Sequence, residues 1–273
     1  MKSNTQFSVL MSVYAKEKAS WLKESLESVF NQTFPPSETV LVADGSLTPE
    51  LESVISSFKE RLKLVRLPKN MGLGTALNEG LKACSYLLVA RMDSDDIAAP
   101  NRFELQIAAF ERDKDLSVSG GAIEEIDSLT KKSIAFRRLP LGDGELKSFL
   151  KKRCPFNHMT VMFKKEDVLS AGGYLHLHYM EDYYLWTRMA EKGFKFANLP
   201  QILVRARTDK ALYGRRGGFE YFLSNKKLYS YMKEHAMIGL KDYIYILSIR
   251  FFVQTLMPNS LRSFFYTRIL RKL

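Results

Sequence analysis

Hydrophobic positions along this chain fall into two rhythms that alternate through its first half. Phe7–Tyr14 is a near-continuous run rich in Val and Leu, the mark of a strand buried on both faces. Trp21, Leu22, Ser25, Leu26, Val29 and Phe30 then repeat at helical spacing behind Ser20, a candidate cap, and predict a helix through Asn31. Pro35-Pro36 forces a loop, and Thr39–Ala43 reads as a second strand ending at Asp44-Gly45. The alternation continues with a helix over 49–60, a strand over Lys63–Leu67, a helix over Gly72–Ala83 and a strand over Ser85–Met92. Another helix follows Pro100 and ends near Arg112.

Strands that alternate with helices of this length imply βαβ units, so the expected class is α/β with a mostly parallel sheet. Ligands of such sheets sit beyond the carboxyl ends of the strands. Asp44 and the Asp93–Asp96 cluster both fall on that edge. Weaker strands follow at Leu116–Ser119, Ile123–Asp127 and Ser133–Phe136, then a stretch over 137–160 that reads as loop because of Gly142, Gly144 and Pro155. Glu181–Lys192 reads as a helix closed by Gly193, and 195–204 as a strand. Beyond Gly217-Gly218 the pattern is helical and aromatic, broken at Pro258.

A chain of 273 residues suits one large domain or a domain with an appendage, and 46% apolar residues excludes disorder of the whole chain. The formal charge of +11 is unevenly placed: Arg205 to Leu273 hold 14 Lys/Arg against 4 Asp/Glu, leaving 1–204 near neutral. That asymmetry points to an anionic partner for the tail, a phospholipid surface or a nucleic acid. Cys84 and Cys154 stand far apart without metal-ligand spacing, which suits a reducing cytosol. The apolar run 7–15 reads as a strand rather than a leader, and no apolar stretch of about 18 residues predicts a membrane span.

Asp93-Ser94-Asp95-Asp96 carries the clearest chemistry. Alternate residues of an extended segment face the same way, so Asp93 and Asp95 can share a site. Two hard carboxylates suit Mg²⁺ or Mn²⁺ beside a diphosphate; the alternative is a solvated acidic turn capping the next helix. Asp44-Gly45 allows a carboxylate hydrogen bond to a base or ribose, or is a plain turn. Asn70–Gly74 contains a G-x-G but lacks the spacing and Lys of a Walker loop. Glu181-Asp182 opens a helix, either as dipole partners or as a general base. His158, His176 and His178 lack a paired second ligand and read as structural or surface residues. Arg205, Arg207, Arg215 and Arg216 form a series able to clasp a pyrophosphate.

Taken in order, FSVLMSVYAKE, VLVADGS, LPKNMGLGTALNEGL, ARMDSDD with APNRFELQ, GGY and MEDYYLWTRMAEKG resemble the family 2 glycosyltransferases over about residues 7–207. The resemblance implies a GT-A fold, Rossmann-like, in 1–207, followed by a helical, basic and aromatic region in 208–273. It implies that Val13, Tyr14 and Glu17 border the nucleoside, that Asp44 binds the base, and that Asn78 and Asp93 face the ribose or the diphosphate. Asp95, with Asp93, would hold Mn²⁺ or Mg²⁺, and Asp182 would be the base of an inverting displacement, with Glu181 positioning the acceptor. Ala15 stands where many members have Pro, and the Q-x-x-R-W signature of processive synthases is missing, so one sugar per encounter is expected.

The tail is similar to bacterial enzymes that build O-antigen, capsule or exopolysaccharide repeat units. That likeness implies a UDP-sugar donor, a polyprenyl-diphosphate-linked saccharide acceptor and a peripheral place on the inner face of the cytoplasmic membrane. Phe251, Phe252, Phe264, Phe265 and Tyr266 interleave with Arg250, Arg262, Arg268, Arg271 and Lys272, so aromatics can enter an anionic membrane surface while cations meet its phosphates. Arg250 and Gln254 share one narrow helical stripe. Two alternatives remain. A nucleotidyltransferase would place its glycine loop directly after the first strand, where Ala15-Lys16-Glu17 stands. A nucleic-acid-binding tail would leave the acidic strand ends unexplained, so no nucleic-acid partner is expected.

Overall fold

The computed structural model describes residues 4–208 and 218–257. Its sheet opens with β1 (Phe7–Val13), β2 (Glu38–Ala43), β3 (Lys63–Arg66) and β4 (Leu88–Asp93), which pair in parallel in the order β3-β2-β1-β4. The crossovers are α1 (Ala19–Phe30), α2 (Pro49–Ser57) and α3 (Leu73–Ala83). β1 is buried on both faces, as its unbroken apolar run requires. Leu10 joins a cluster with Val42, Leu77 and Trp186, while Phe7, Val9 and Met11 join Leu22, Leu26 and Phe103 on the other side.

Beyond β4 the sheet becomes mixed, where a mostly parallel one was expected. The short strands β5 (Ile97–Ala98) and β7 (Ser133–Arg137), with α4 (Arg102–Arg112) and the long β6 (Leu116–Asp127), lead to α5 (Asp143–Leu150), β8 (Met162–Lys164) and α6 (Lys165–Ser170). β8 lies antiparallel between β4 and β6, and β9 (Lys195–Thr208) then runs parallel to β6 and antiparallel to β5. α7 (Glu181–Glu191) and α8 (Phe219–Glu234) cover one face, and α9 (Leu240–Phe251) follows α8.

Several expected boundaries move for identifiable reasons. α1 starts at Ala19 with Lys18 at its cap and no side-chain bond there, so Ser20 lies inside the first turn. The two strands expected over 116–119 and 123–127 are one. Gly120 and Gly121, which look like a break, sit in its middle because Cβ atoms there would strike Phe156 and Leu203 at 2.7 and 2.5 Å. α5 hides within the stretch that reads as loop: Gly142 and Gly144 mask it, but Leu146 and Leu150 are buried one turn apart. Arg102 and Gln106 of the APNRFELQ segment are fully buried. Arg102 donates to the Arg91 carbonyl at 2.7 Å and Gln106 to those of Ser119 and Thr160 at 3.1 and 2.9 Å, so this helix ties β4 to β6.

The described part of the tail packs against the rest of the chain, with a few polar groups also turned inward. α8 buries Leu228, Tyr229 and Met232 in the cluster that contains Trp186. Arg250 does not point outward as expected: its guanidinium donates to the Lys152 carbonyl at 2.9 Å and the Tyr229 hydroxyl at 2.8 Å. Gln254 is buried and accepts from Asn225 at 3.3 Å. α9 packs Tyr243, Ile246 and Leu247 against the same cluster and leaves Leu240, Ile244, Tyr245 and Ile249 exposed, by 63, 56, 68 and 46%. Arg262, Phe264, Phe265, Tyr266, Arg268, Arg271 and Lys272 lie outside the described residues.

Candidate active site

Parallel pairing brings the ends of β2, β1 and β4 side by side, with Val13 opposite Ala43 and Ser12 opposite Asp93. The Asp44 amide donates to the Val13 carbonyl at 2.8 Å, and beyond Val13 a turn closes from the Glu17 amide to the Tyr14 carbonyl at 3.1 Å. The Asp44 carboxylate is buried and accepts the Met71 and Gly72 amides at 2.6 and 3.0 Å, one on each oxygen. It thereby pins the Asn70–Gly72 loop, and each oxygen keeps a lone pair for a further donor. Gly45 has φ +87° with the Asn70 amide 2.7 Å from where a Cβ would lie, so the loop passes too close for a side chain.

Past β4 the chain forms the acidic turn. Asp93, Asp95 and Asp96 each bring a carboxylate oxygen within 4.8 Å of the others. Burial foremost, then the charge of Asp93, pushes the Asp95 carboxyl up to about 6. Burial and both neighbours push Asp96 well above its ordinary value. A crowded set of hard oxygens with this mutual repulsion fits a divalent cation of the Mg²⁺ or Mn²⁺ kind. Three other groups fix the turn. The Ser25 hydroxyl donates to the Asp93 carbonyl at 2.8 Å, Arg91 pairs with the Asp93 carboxylate, and Asp96 accepts the Arg207 amide at 2.8 Å. Arg207 is buried, donating to the Asp95 carbonyl and pairing with Glu24, with its guanidinium 5.5 Å from the centre of the Trp21 ring. It therefore braces the turn from beneath; Arg215 and Arg216 lie outside the described residues.

The start of α7 packs against the start of α3. Burial raises the pKa of Asp182, which accepts the Cys154 thiol at 3.6 Å. Glu181 is raised by burial and then by the charge of Asp182. Its Cγ lies 3.3 Å from the Cβ position of Gly74, so the first turns of α3 and α7 touch. Between them runs the Gly172-Gly173-Tyr174 turn, clamped from both helices. Asn78 of α3 donates to the Tyr174 carbonyl at 2.7 Å and accepts its amide at 2.9 Å. Arg188 of α7 donates to the Ala171 carbonyl and to the Gly173 carbonyl, the latter at 2.6 Å. The Tyr174 hydroxyl meets His158 Nε2 at 3.0 Å, and burial with the nearby charge of Arg91 keeps His158 well below its usual pKa.

The clamp makes Gly173 a sensitive position. Its φ is +63°, and a Cβ there would stand 2.7 Å from Asn78 Oδ1. Gly173→Ala is expected to cost roughly 1–3 kcal/mol in a thermal or urea melt. Gly144→Ala, in open space on α5, is expected to be neutral or slightly stabilising. Equal melts for the two variants would show that the clamp does not hold the turn.

Asp44, the Tyr14–Glu17 turn and Asp93–Asp96 are thus gathered on one rim, with Glu181-Asp182 linked to it through Gly74. Sequence reading missed Arg91 and Cys154, whose contacts depend on strand alternation and on a loop 28 residues away. Asn78 and Arg207 were singled out, but their side chains are engaged with protein.

The fold is that of the GT-A glycosyltransferases. It overlays Staphylococcus aureus TarS 1-349, solved in complex with UDP-GlcNAc, with a TM-score of 0.66 at 17% identity, covering 97% of this chain and 76% of that one. Residues 8–170 match the model of glycosyl transferase family 2, and the chain belongs to that family. Along its length it is similar to the amylovoran biosynthesis glycosyltransferase AmsE of Erwinia amylovora, 41% identical over 96% of this chain and 98% of that one. It is 37% identical, over 98% of this chain and 97% of the other, to the UDP-Gal:α-D-GlcNAc-diphosphoundecaprenol β-1,3-galactosyltransferase of Escherichia coli. The protein is a family 2 glycosyltransferase; of these two relatives, one acts in amylovoran biosynthesis and the other on GlcNAc-diphosphoundecaprenol.

Proposed function

We propose that this enzyme moves one sugar per encounter from a nucleotide-sugar, UDP-linked as in the E. coli relative, to a polyprenyl-diphosphate-linked saccharide, with inversion. The observation that carries the reading is the crowding of Asp93, Asp95 and Asp96 within 4.8 Å of one another past β4, with the second acidic pair, Glu181/Asp182, opening a helix whose Glu181 packs on α3 at Gly74. Asp182 takes the proton of the acceptor hydroxyl as its oxygen bonds the anomeric carbon, and the bond to the nucleoside diphosphate breaks on the opposite side. A raised pKa suits that role, because a stronger base removes an alcohol proton more readily. Glu181 positions the acceptor. Val13, Tyr14, Glu17 and Asp44 border the nucleoside, and Asn78 serves by fixing Tyr174. Mn²⁺ or Mg²⁺ held by Asp95 and Asp93 would supply Lewis-acid stabilisation of the diphosphate.

Residues 1–207 form the catalytic unit in this reading, and 208–273 bring it to the inner face of the cytoplasmic membrane. Among the described residues no helix is long and apolar enough to cross a membrane. The exposed apolar side of α9 fits the interfacial zone instead, and the cationic residues within 262–272 follow it in sequence.

The test uses the full chain with UDP-, dTDP- and GDP-sugars, Mn²⁺ or Mg²⁺ with and without chelator, and a polyprenyl-diphosphate saccharide in anionic or zwitterionic vesicles. Metal-dependent release of one nucleoside diphosphate, an inverted product and faster transfer on anionic vesicles are expected. Pyrophosphate release would replace the reading with nucleotidyl transfer, and a retained anomer would exclude the single displacement.

A further inference from the structure

Arg91 is a deeply buried cation at the candidate site, and beyond its pairing with Asp93 the roles given above leave it without a function. It lies on β4 two residues before Asp93, on the same face of the strand, and is 2% exposed. One end of its guanidinium pairs with the Asp93 carboxylate. Nε and Nη1 are buried without a hydrogen-bond partner, an arrangement that costs stability and so calls for a reason. A second buried cation, Arg102, bonds to the Arg91 carbonyl at 2.7 Å, which adds repulsion rather than relief.

The charge of Arg91 reaches both halves of the site. It acts on Asp93, Asp95 and Asp96 on one side, and on Asp182, Tyr174 and His158 on the other. Other groups near Asp182 are Glu181 on its own helix, Cys154 in the loop before His158, Arg137 at the end of β7 and Tyr174 in the clamped turn. Arg137 is the other cation of this set, and it acts on Asp182 less than Arg91 does.

We propose that Arg91 is a positioning residue shared by the two carboxylate groups, orienting Asp93 by direct contact and lending its buried positive charge to Asp182. The proposal rests on the reading of Asp93 as a metal ligand and Asp182 as the base. A neutral residue at 91 would free Asp93 to turn away from its neighbours and would leave Asp182 harder to ionise. Lysine would keep the charge and lose the planar fork that fixes Asp93.

The experiment compares wild type, Arg91→Lys and Arg91→Gln, with Asp182→Asn as a control. Three readouts are taken: melting temperature, Mn²⁺ binding with UDP present from the free-ion EPR signal, and the pH profile of kcat. Wild-type Mn²⁺ binding and inactivity of the Asp182 control test the underlying reading on their own. Arg91→Gln is expected to weaken Mn²⁺ binding about tenfold and to move the acid limb of kcat upward by roughly one pH unit, as loss of a close opposite charge does. Arg91→Lys is expected to weaken Mn²⁺ binding but leave the acid limb in place. Folded variants with wild-type Mn²⁺ binding and pH profile would overturn the proposal. So would failure of both to fold, which would assign Arg91 to stability alone; if only Arg91→Gln fails, the lysine variant decides.

Discussion

Asp182→Asn is expected to lower transfer by about 10²–10⁴-fold, the range that removal of a positioned general base covers, while binding of nucleotide and metal stays near wild type. The substitution keeps size and shape, so the Cys154 contact and the first turn of α7 should survive. What disappears is the capacity to accept a proton. The pH dependence of the wild type supplies an independent check. Burial raises the Asp182 pKa above its ordinary 3.8, and the base works only when deprotonated. The rate should therefore fall as pH drops through that raised value, with an acid limb displaced upward from an ordinary aspartate. Glu181 stands beside it, also raised, so Glu181→Gln is the discriminating control. Should the glutamine variant be inactive and the asparagine variant retain near wild-type turnover, the two residues exchange roles.

The alternation of rhythms in the first hundred residues made the parallel half of the sheet legible, because strands buried on both faces have only one composition that works. Asp44 and Asp93–Asp96 could be placed from that pattern alone, since each follows such a strand. Glu181-Asp182 could not: acidic residues open many helices, and only the resemblance of the whole ordered set of motifs raised them above dipole partners. The antiparallel strand β8 escaped because three residues carry no period, and α5 because two glycines outweighed Leu146 and Leu150. Arg91 sits within a strand otherwise apolar up to Asp93, and its meaning depends on what β4 faces across the sheet. Asn78 and Arg207 show the converse. Their chemistry suited a polar ligand, yet backbone groups of neighbouring segments claim their side chains. Residue type indicates what a side chain can bond, and packing decides with what.

Asp95→Asn is expected to abolish metal-dependent transfer and the metal-dependent part of nucleotide binding, while the metal-free protein melts at or above the wild-type temperature. The two outcomes have one cause. Three carboxylates within 4.8 Å repel one another, and a backbone hydrogen bond together with the charges of Arg91 and Arg207 opposes that repulsion at Asp95. Without a cation, replacing one carboxylate by an amide of the same shape removes repulsion and leaves the backbone bonds of the turn in place. With a cation, the comparison reverses. A ligand at about 100 times its Kd stabilises the folded state by roughly 2.7 kcal/mol, and a variant that cannot bind it gains none of this. Melts of both proteins with and without Mn²⁺, in the presence of UDP, should cross: variant at or above wild type without metal, wild type above variant with it. An Asp95→Asn protein that gains as much from Mn²⁺ as wild type does would place the cation elsewhere. Asp96 makes the contrast informative, because its oxygen holds the Arg207 amide of β9 and its loss would weaken the turn itself. In the proposed reading, Asp95→Asn and loss of the Asp96 carboxylate thus give opposite signs in the same metal-free melt.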